Sequence, residues 1–242
     1  MTEPIEALIF DVFGTLVDWR RGVSSAVAAA FGPDAPVGAP VDAAAFADAW
    51  RAEYDPSMAP IREGRRGYVP LDLLHVENLA RVLAARGLTG RLSGTDQFEL
   101  ARAWERLPPW EDSVAGLTQL RQRFLIAPCS NGSIGLMVRL ARHADLPWDC
   151  VLGAEIARDY KPSPVVYQAA CAALRLEPAR VMMVAAHNGD LHAARAAGLR
   201  TGFFPRPLEH GPGQQSDLAA EADWDVVAGD FAGFAAVLSE GG

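Results

Sequence analysis

Cysteine is scarce: the 242-residue chain has three, Cys129, Cys150 and Cys171. Their odd number and wide spacing fit neither a disulfide framework nor a zinc site, and they point to a reducing, cytoplasmic setting. Positive charge is also in short supply. Lys and Arg number 22 against 30 Asp and Glu, giving a net charge of −8 and a pI of about 5.1. That balance argues against a nucleic-acid surface, while leaving room for a locally basic pocket that takes an anionic substrate. No apolar run reaches the ~18 residues a membrane-spanning helix needs. The opening Met1-Thr2-Glu3-Pro4 has neither the basic region nor the apolar segment of a secretory signal. Internal repeats and low-complexity tracts are missing too. What is present is a chain with 50% hydrophobic residues. It is long enough for one large domain, or for a core plus an insertion.

Strand and helix signals alternate along much of this length. The apolar run 7–10 reads as a buried parallel strand. Further strands are predicted at 124–128, 151–152, 181–185, 201–204 and 225–227. Pro128 is awkward in a central strand, so the second strand is expected to end at or just before it. Helices fall between the strands: 111–123, a Ser133-capped helix through Ala144, and one opened by Ser163-Pro164 and reaching Leu174. Another reaches Ala197 with Gly198 as its C-cap, and Asp230 caps a closing helix. This alternation implies an α/β fold built on a doubly wound parallel sheet. Between residues 17 and 120 no convincing strand occurs. Helices are predicted there over 23–31, 41–54, 71–86 and 98–107. A Gly/Pro-rich loop spans 32–40, and 55–67 is broken by Pro56, Pro60 and Gly64. Residues 17–108 therefore read as a helical cap inserted into a core made of 1–16 and 109–242.

The ends of the strands hold the residues suited to chemistry. Asp11 directly follows the first strand, where open α/β sheets place their ligands. Burying its charge there is costly unless something pairs with it. Ser130 and Asn131 follow the second strand, Lys161 the third, and Asp190 lies beyond the fourth. In a parallel sheet these ends share one edge. Singly, each has a plain structural reading: a cap for Asp11 or Asp190, a turn for Ser130-Asn131, a solvated surface lysine for Lys161. Together, at four successive strand ends, they point to a site.

Those residues also carry a resemblance. Asp11-Val12-Phe13-Gly14-Thr15, Ser130-Asn131, Lys161-Pro162, and Asp190 with Ala196-Ala197-Gly198 resemble the four motifs of the haloacid dehalogenase superfamily. The match spans nearly the whole chain, including the place of the cap, and implies a Rossmann-like core. The phosphatases of that superfamily use a second Asp two residues after the nucleophile as general acid. They use another four residues before the position of Asp190, and they hold Mg²⁺. Here those two positions are Phe13 and Ala186. An aromatic ring cannot protonate a leaving group, and one carboxylate fewer weakens a magnesium site. A halide leaves as a stable anion and needs no proton. Asp-x-Phe-Gly-Thr, with Ser-Asn-Gly and Tyr-Lys-Pro downstream, resembles the L-2-haloacid dehalogenases.

This resemblance implies an enzyme with no metal and no cofactor, whose partners are a 2-haloacid and a halide. Asp11 is then the nucleophile, forming an ester that water hydrolyses. Lys161 favours the ionised form of Asp11, and Asp190 orients Lys161 or helps activate the water. Thr15 and Ser130 hydrogen-bond the nucleophile or the substrate carboxylate, Asn131 receives the halide, and Arg51 of the cap assists its departure. Tyr167 matches a site tyrosine, Phe13 and Trp19 are expected to line an apolar pocket, and a homodimer is a family expectation. The chain also departs from the pattern. His187 stands where Asn is common, Gly189 where a bulky aromatic is common, and Ala52 where an amide usually follows the arginine. His187 is expected to position or deprotonate the hydrolytic water, and Gly189 to remove wall volume. Three alternatives stay open: hydrolysis of another C–X bond, a Mg²⁺ phosphatase with a displaced acid, and a catalytically silent binding protein. The intact Asp11, Lys161 and Asp190 weigh against the last.

Overall fold

The computed structural model describes residues 4–32 and 41–240. β1 (Ala7–Phe10) sits inside a parallel sheet. β2 (Leu125–Ser130) and β3 (Leu152–Gly153) extend to one side of it. β4 (Val181–Ala185), β5 (Arg200–Phe203) and β6 (Val226–Val227) extend to the other. The order is β3-β2-β1-β4-β5-β6. Alternate residues serve opposite faces, as the strand period demands. Leu8, Phe10, Ile126, Met182 and Val184 join one core, and Ala7, Ile9, Ala127, Cys129, Val181 and Met183 the other. Burial on both faces explains why these strands read as unbroken apolar runs.

Contrary to expectation, β2 runs through Pro128 to Ser130. The parity of its hydrogen bonds explains this. Leu125 N–H points toward β1, donating to Glu6 O, while Ile126 N–H points the other way to the Asp149 carboxylate at 3.0 Å. Pro128 shares the parity of Ile126, so its missing N–H faces the β3 side. Pairing with β3 begins only at Cys129. No ladder bond is lost.

Helices α1 (Trp19–Phe31), α2 (Ala43–Ala52), α3 (Tyr54–Arg62), α4 (Leu71–Ala85) and α5 (Gly94–Ala101) fill the stretch between β1 and α6 (Ser113–Leu120). α1 starts earlier than the expected Val23 because the Asp18 side chain caps it, accepting from Arg21 N–H. α5 likewise begins ahead of Phe98, at a Ser93/Asp96 capping box. α3 occupies a stretch expected to be broken. Pro56 lies in its first turn, where the N–H is surplus, and Pro60 lies near its end. Burial of Tyr54, Met58 and Ile61 offsets what the prolines cost. The predicted 32–40 loop lies, beyond Gly32, outside the described residues. Trp19, Phe46, Trp50 and Trp104 fill this helical layer and merge with the core on the Leu8/Phe10 face of the sheet. α6, α7 (Ile134–Ala144) and α11 (Phe231–Glu240) cover the same face, with α8 (Ala154–Ala157) beside them; α9 (Pro164–Leu174) and α10 (Asn188–Ala196) cover the opposite one.

The long segment between β5 and β6 has no regular structure, yet it is fastened at both ends. Arg206 donates to Thr15 O at 2.9 Å and forms a two-pronged pair with Asp112. Asn188, buried at the start of α10, donates to Asp217 and Ala219 O and accepts from Glu221 N–H and Trp224 Nε1. Removing its amide leaves those inward-facing donors unpaired, at ~1–3 kcal/mol each. Asn188→Ala should therefore lower the unfolding free energy by about 2–4 kcal/mol in urea titrations. A loss under ~0.5 kcal/mol, the range of neutral surface changes, would contradict this.

Candidate active site

Asp11 leaves β1 with its N–H still donating to Val184 O at 3.0 Å, so the sheet fixes its backbone. The chain then reverses. Leu16 and Val17 N–H both donate to Val12 O, at 2.9 and 3.2 Å. Gly14 makes the turn at φ +87°, a region that penalises residues with a Cβ. The reversal brings Thr15 back to Asp11. Its Oγ1 donates to Asp11 Oδ2 at 2.7 Å and accepts Ala186 N–H at 3.1 Å. The ends of β1 and β4 are thereby tied together at Asp11.

Lys161 approaches from the loop after α8. Its Nζ donates to Asp11 Oδ1 at 2.9 Å and to Asp190 Oδ2. Its backbone N–H donates to Asn131 Oδ1 at 2.8 Å, which leaves the Asn131 NH₂ as a donor at the cavity wall. The other oxygen of Asp190 accepts from the Tyr167 hydroxyl. A third contact comes from His187. Nδ1 is 3.1 Å from Asp11 Oδ2, and Nε2 is 2.8 Å from Glu209 Oε2. Glu209, 1% exposed, also accepts from Trp19 Nε1 at 2.9 Å. A Cβ at position 14 would lie 2.1 Å from Glu209 Oε1, so the bare glycine is also what makes room for this carboxylate.

The electrostatics follow from these pairings. Burial pushes the Asp11 carboxyl up, but Lys161, His187 and Thr15 outweigh it and hold Asp11 well below the usual carboxylate range. Burial lowers Lys161, and Asp11 and Asp190 more than reverse that. Two carboxylates thus share one ammonium. Asp11 is the one kept ionised, whereas burial, reinforced by the charge of Asp11 and opposed by Lys161, shifts Asp190 upward. His187 is lowered by burial and lifted well above 6.5 by Glu209 and Asp11. Glu209 is raised by burial and brought below its ordinary value by His187.

These groups face a cavity of about 250 Å³ between the sheet edge and the helical layer. Asp11, Asn131, Lys161, His187 and Asp190 line it from the sheet side, and Arg51 and Tyr54 from the helices. Phe13 forms an aromatic wall with Tyr54 and Trp104, ring centroids 6.5 and 5.6 Å away. The Arg51 guanidinium lies over the Tyr54 ring at 4.2 Å, its Nε has no hydrogen-bond partner, and it joins no ion pair among the described residues. It is a cation ready for an anion. A Cβ on Gly189 would meet nothing within 4 Å, so this wall is open. Among the described residues, no group of three or more His, Cys, Asp or Glu side chains is arranged to hold a metal ion.

Some residues singled out from sequence lie elsewhere than expected. Ser130 is fully buried, and its Oγ accepts Gly132 N–H at 3.1 Å, shaping the turn after β2. Trp19 stacks on Trp104 and backs Glu209 instead of lining this cavity. Tyr167 acts on Asp190. Sequence reasoning missed Tyr54 and Glu209. Tyr54, three residues beyond Arg51, shared its side of the helical region. Glu209 gave no signal.

A model of the haloacid dehalogenase-like hydrolases matches residues 5–198. Among similar solved structures, a defluorinating L-2-haloacid dehalogenase is 48% identical, with 97% of this chain and 95% of that one covered and a TM-score of 0.93. A second L-2-haloacid dehalogenase is 43% identical, with 98% and 99% covered and a TM-score of 0.91. The chain belongs to the L-2-haloacid dehalogenases. It is thus a hydrolase of carbon–halide bonds. A curated relative, (S)-2-haloacid dehalogenase 4A of Burkholderia cepacia, is 29% identical over 244 residues, covering 94% of this chain and 97% of the relative. No helix among the described residues is long and apolar enough to cross a membrane.

In this dehalogenase the pairing of His187 has a consequence for stability. Its folded pKa is raised, so its contribution is complete below its unfolded value of 6.5 and is lost as pH rises through the folded value. Urea titrations should show stability declining above pH 6.5 in the parent. In His187→Gln that decline should be missing; an identical decline in both proteins would contradict the assignment.

Proposed function

We propose that the protein converts (S)-2-haloalkanoic acids, haloacetates and 2-chloropropionate among them, to 2-hydroxy acids and halide. Asp11 attacks C2 opposite the halogen, inverting the centre and forming an ester. The halide leaves unprotonated. Arg51 and the Asn131 NH₂ supply positive charge and a donor for it, both at the cavity wall. Water then adds to the carbonyl carbon of the Asp11 ester, with Lys161 Nζ and Thr15 Oγ1 aimed at its oxygens. Asp190, held by Tyr167, keeps Lys161 in place.

One observation carries this reading. The Asp11 carboxylate is countered by a fixed ammonium, and the residue two places on is an aromatic wall. Such a site holds an ionised carboxylate, and Phe13 offers no acid at the position from which a phosphatase protonates its leaving group. A C–X bond whose leaving group departs as an anion suits it. The 48% identical relative is named as defluorinating. That supports placing fluoroacetate on the list of substrates.

Asp11→Asn should abolish halide release from chloroacetate, and 10 mM EDTA should leave the parent rate unchanged. In a single turnover in H₂¹⁸O, the label should enter Asp11 and stay out of the first hydroxy acid. Label passing straight into the product would overturn the ester. Gly189→Leu fills the open wall. It should slow 2-bromobutyrate more than bromoacetate, by roughly ten-fold in relative kcat/KM, about the discrimination a hydrophobic pocket gives; equal effects would contradict the assigned wall.

A further inference from the structure

We propose that His187 and Glu209 act together as a base and its positioning carboxylate, activating the hydrolytic water once Asp11 has been esterified. The inference rests on the ester reading above. It starts from which groups at the cavity are free to accept a proton. Asp190 has one oxygen on Lys161 and the other on Tyr167. Lys161 is an ammonium with no lone pair. The Thr15 hydroxyl is engaged by Asp11 and by Ala186 N–H. His187 Nδ1 faces the Asp11 carboxylate itself, 3.1 Å from Oδ2, and that partner disappears as an anion when the ester forms. A water on Nδ1 would then be within reach of the ester carbon.

The second half of the arrangement is Glu209. With Nε2–H donated to Oε2 at 2.8 Å, the tautomer is fixed with the lone pair on Nδ1, toward the ester. Trp19 Nε1 holds the other oxygen, and the bare backbone of Gly14 leaves the carboxylate its space. A buried acid, an imidazole and a reacting group in line form the logic of a nucleophile–base–orienter set. The charged groups around His187 are Asp11 at the end of β1, Glu209 with His210 beside its other oxygen at 3.6 Å, and Lys161, Asp190 and Arg51 at the same cavity.

The protons balance. In the resting enzyme His187 is an imidazolium between two carboxylates. Displacement turns Asp11 into a neutral ester, one of those carboxylates is lost, and His187 releases its proton to solvent. That is the one net proton of the reaction, R–X plus water giving R–OH, halide and H⁺. Water then forms a C–O bond to the ester carbon while giving a proton to Nδ1. Collapse breaks the bond between that carbon and the substrate oxygen, which takes the proton from Nδ1. The new Asp11 carboxylic acid passes its proton to His187, and the resting imidazolium returns.

The test is rapid-quench mass spectrometry of the Asp11 peptide with bromoacetate, beside bromide release, for the parent, Glu209→Gln and His187→Gln. Both variants should keep a burst of one bromide per enzyme and accumulate the ester. Its hydrolysis should slow by roughly 10²-fold or more, the usual worth of a positioned base. In Glu209→Gln the acid limb of the hydrolysis rate should also move to lower pH, because the anion that raises His187 is gone. A merely structural role would not move that limb. Glu209→Asp should restore part of the rate. Ester that turns over at the parental rate with an unshifted pH profile would overturn the dyad. So would loss of the bromide burst in His187→Gln. No ester in any of the three proteins, parent included, would instead refute the hydrolytic reading on which this rests. If Glu209→Gln does not fold, His187→Gln carries the same comparison.

Discussion

The Lys161 ammonium lodged between the carboxylates of Asp11 and Asp190 is the contact on which the rest of the site depends. Asp11 and Lys161 are buried, and the Asp190 side chain is only 9% exposed. Each ion would be expensive to bury alone, and removing one partner of such a pair typically costs ~3–5 kcal/mol. The arrangement is also unequal. One ammonium cannot satisfy two carboxylates alike, so the remaining contacts decide which is the stronger acid. Thr15 and His187 add to Asp11, and Tyr167 adds to Asp190. Asp11 receives the larger share.

Around that contact the charges alternate. Asp11, Asp190 and Glu209 meet Lys161 and His187, whereas Arg51 faces the cavity with no ion-pair partner among the described residues. A carboxylic acid substrate arriving in an acidic protein therefore meets a local cation and a donor amide. Overall charge governs long-range behaviour, whereas burial and pairing set what happens within a few ångströms.

Much of this was legible in the sequence, for identifiable reasons. Buried parallel strands are short apolar runs, so β1 and β4 stood out, and with them the residues just past their ends: Asp11 and the segment holding His187 and Asp190. Lys161 was legible because it follows a strand, and Arg51 only through family resemblance. Pro128 misled because strand parity, which decides whether a missing N–H matters, is not written in a single strand. α3 was hidden because proline is read as a breaker until its place in the first or last turn is known. Glu209 was illegible for a different reason. It lies 22 residues from His187, in an irregular Gly/Pro segment, and its role is created entirely by where that segment is fastened. Ser130 and Trp19 occupied the right neighbourhood, but no pattern tells which way a side chain turns there.

The two ends of the helical insertion lie side by side. Val17 bridges Pro109, Asp18 N–H donates to Pro108 O, and Trp110 N–H donates to Leu16 O. Such a narrow, zipped neck makes the helices a cassette. They can be exchanged for another set joined at the same two points while the sheet, Asp11 and Lys161 stay as they are. Arg51, Tyr54 and the Trp19 indole that donates to Glu209 would go with the cassette, whereas His187 and Glu209 themselves would stay behind. Descent by replacement at this neck would therefore alter the wall that Arg51 and Tyr54 supply far more readily than the contacts of His187 with Asp11 and Glu209.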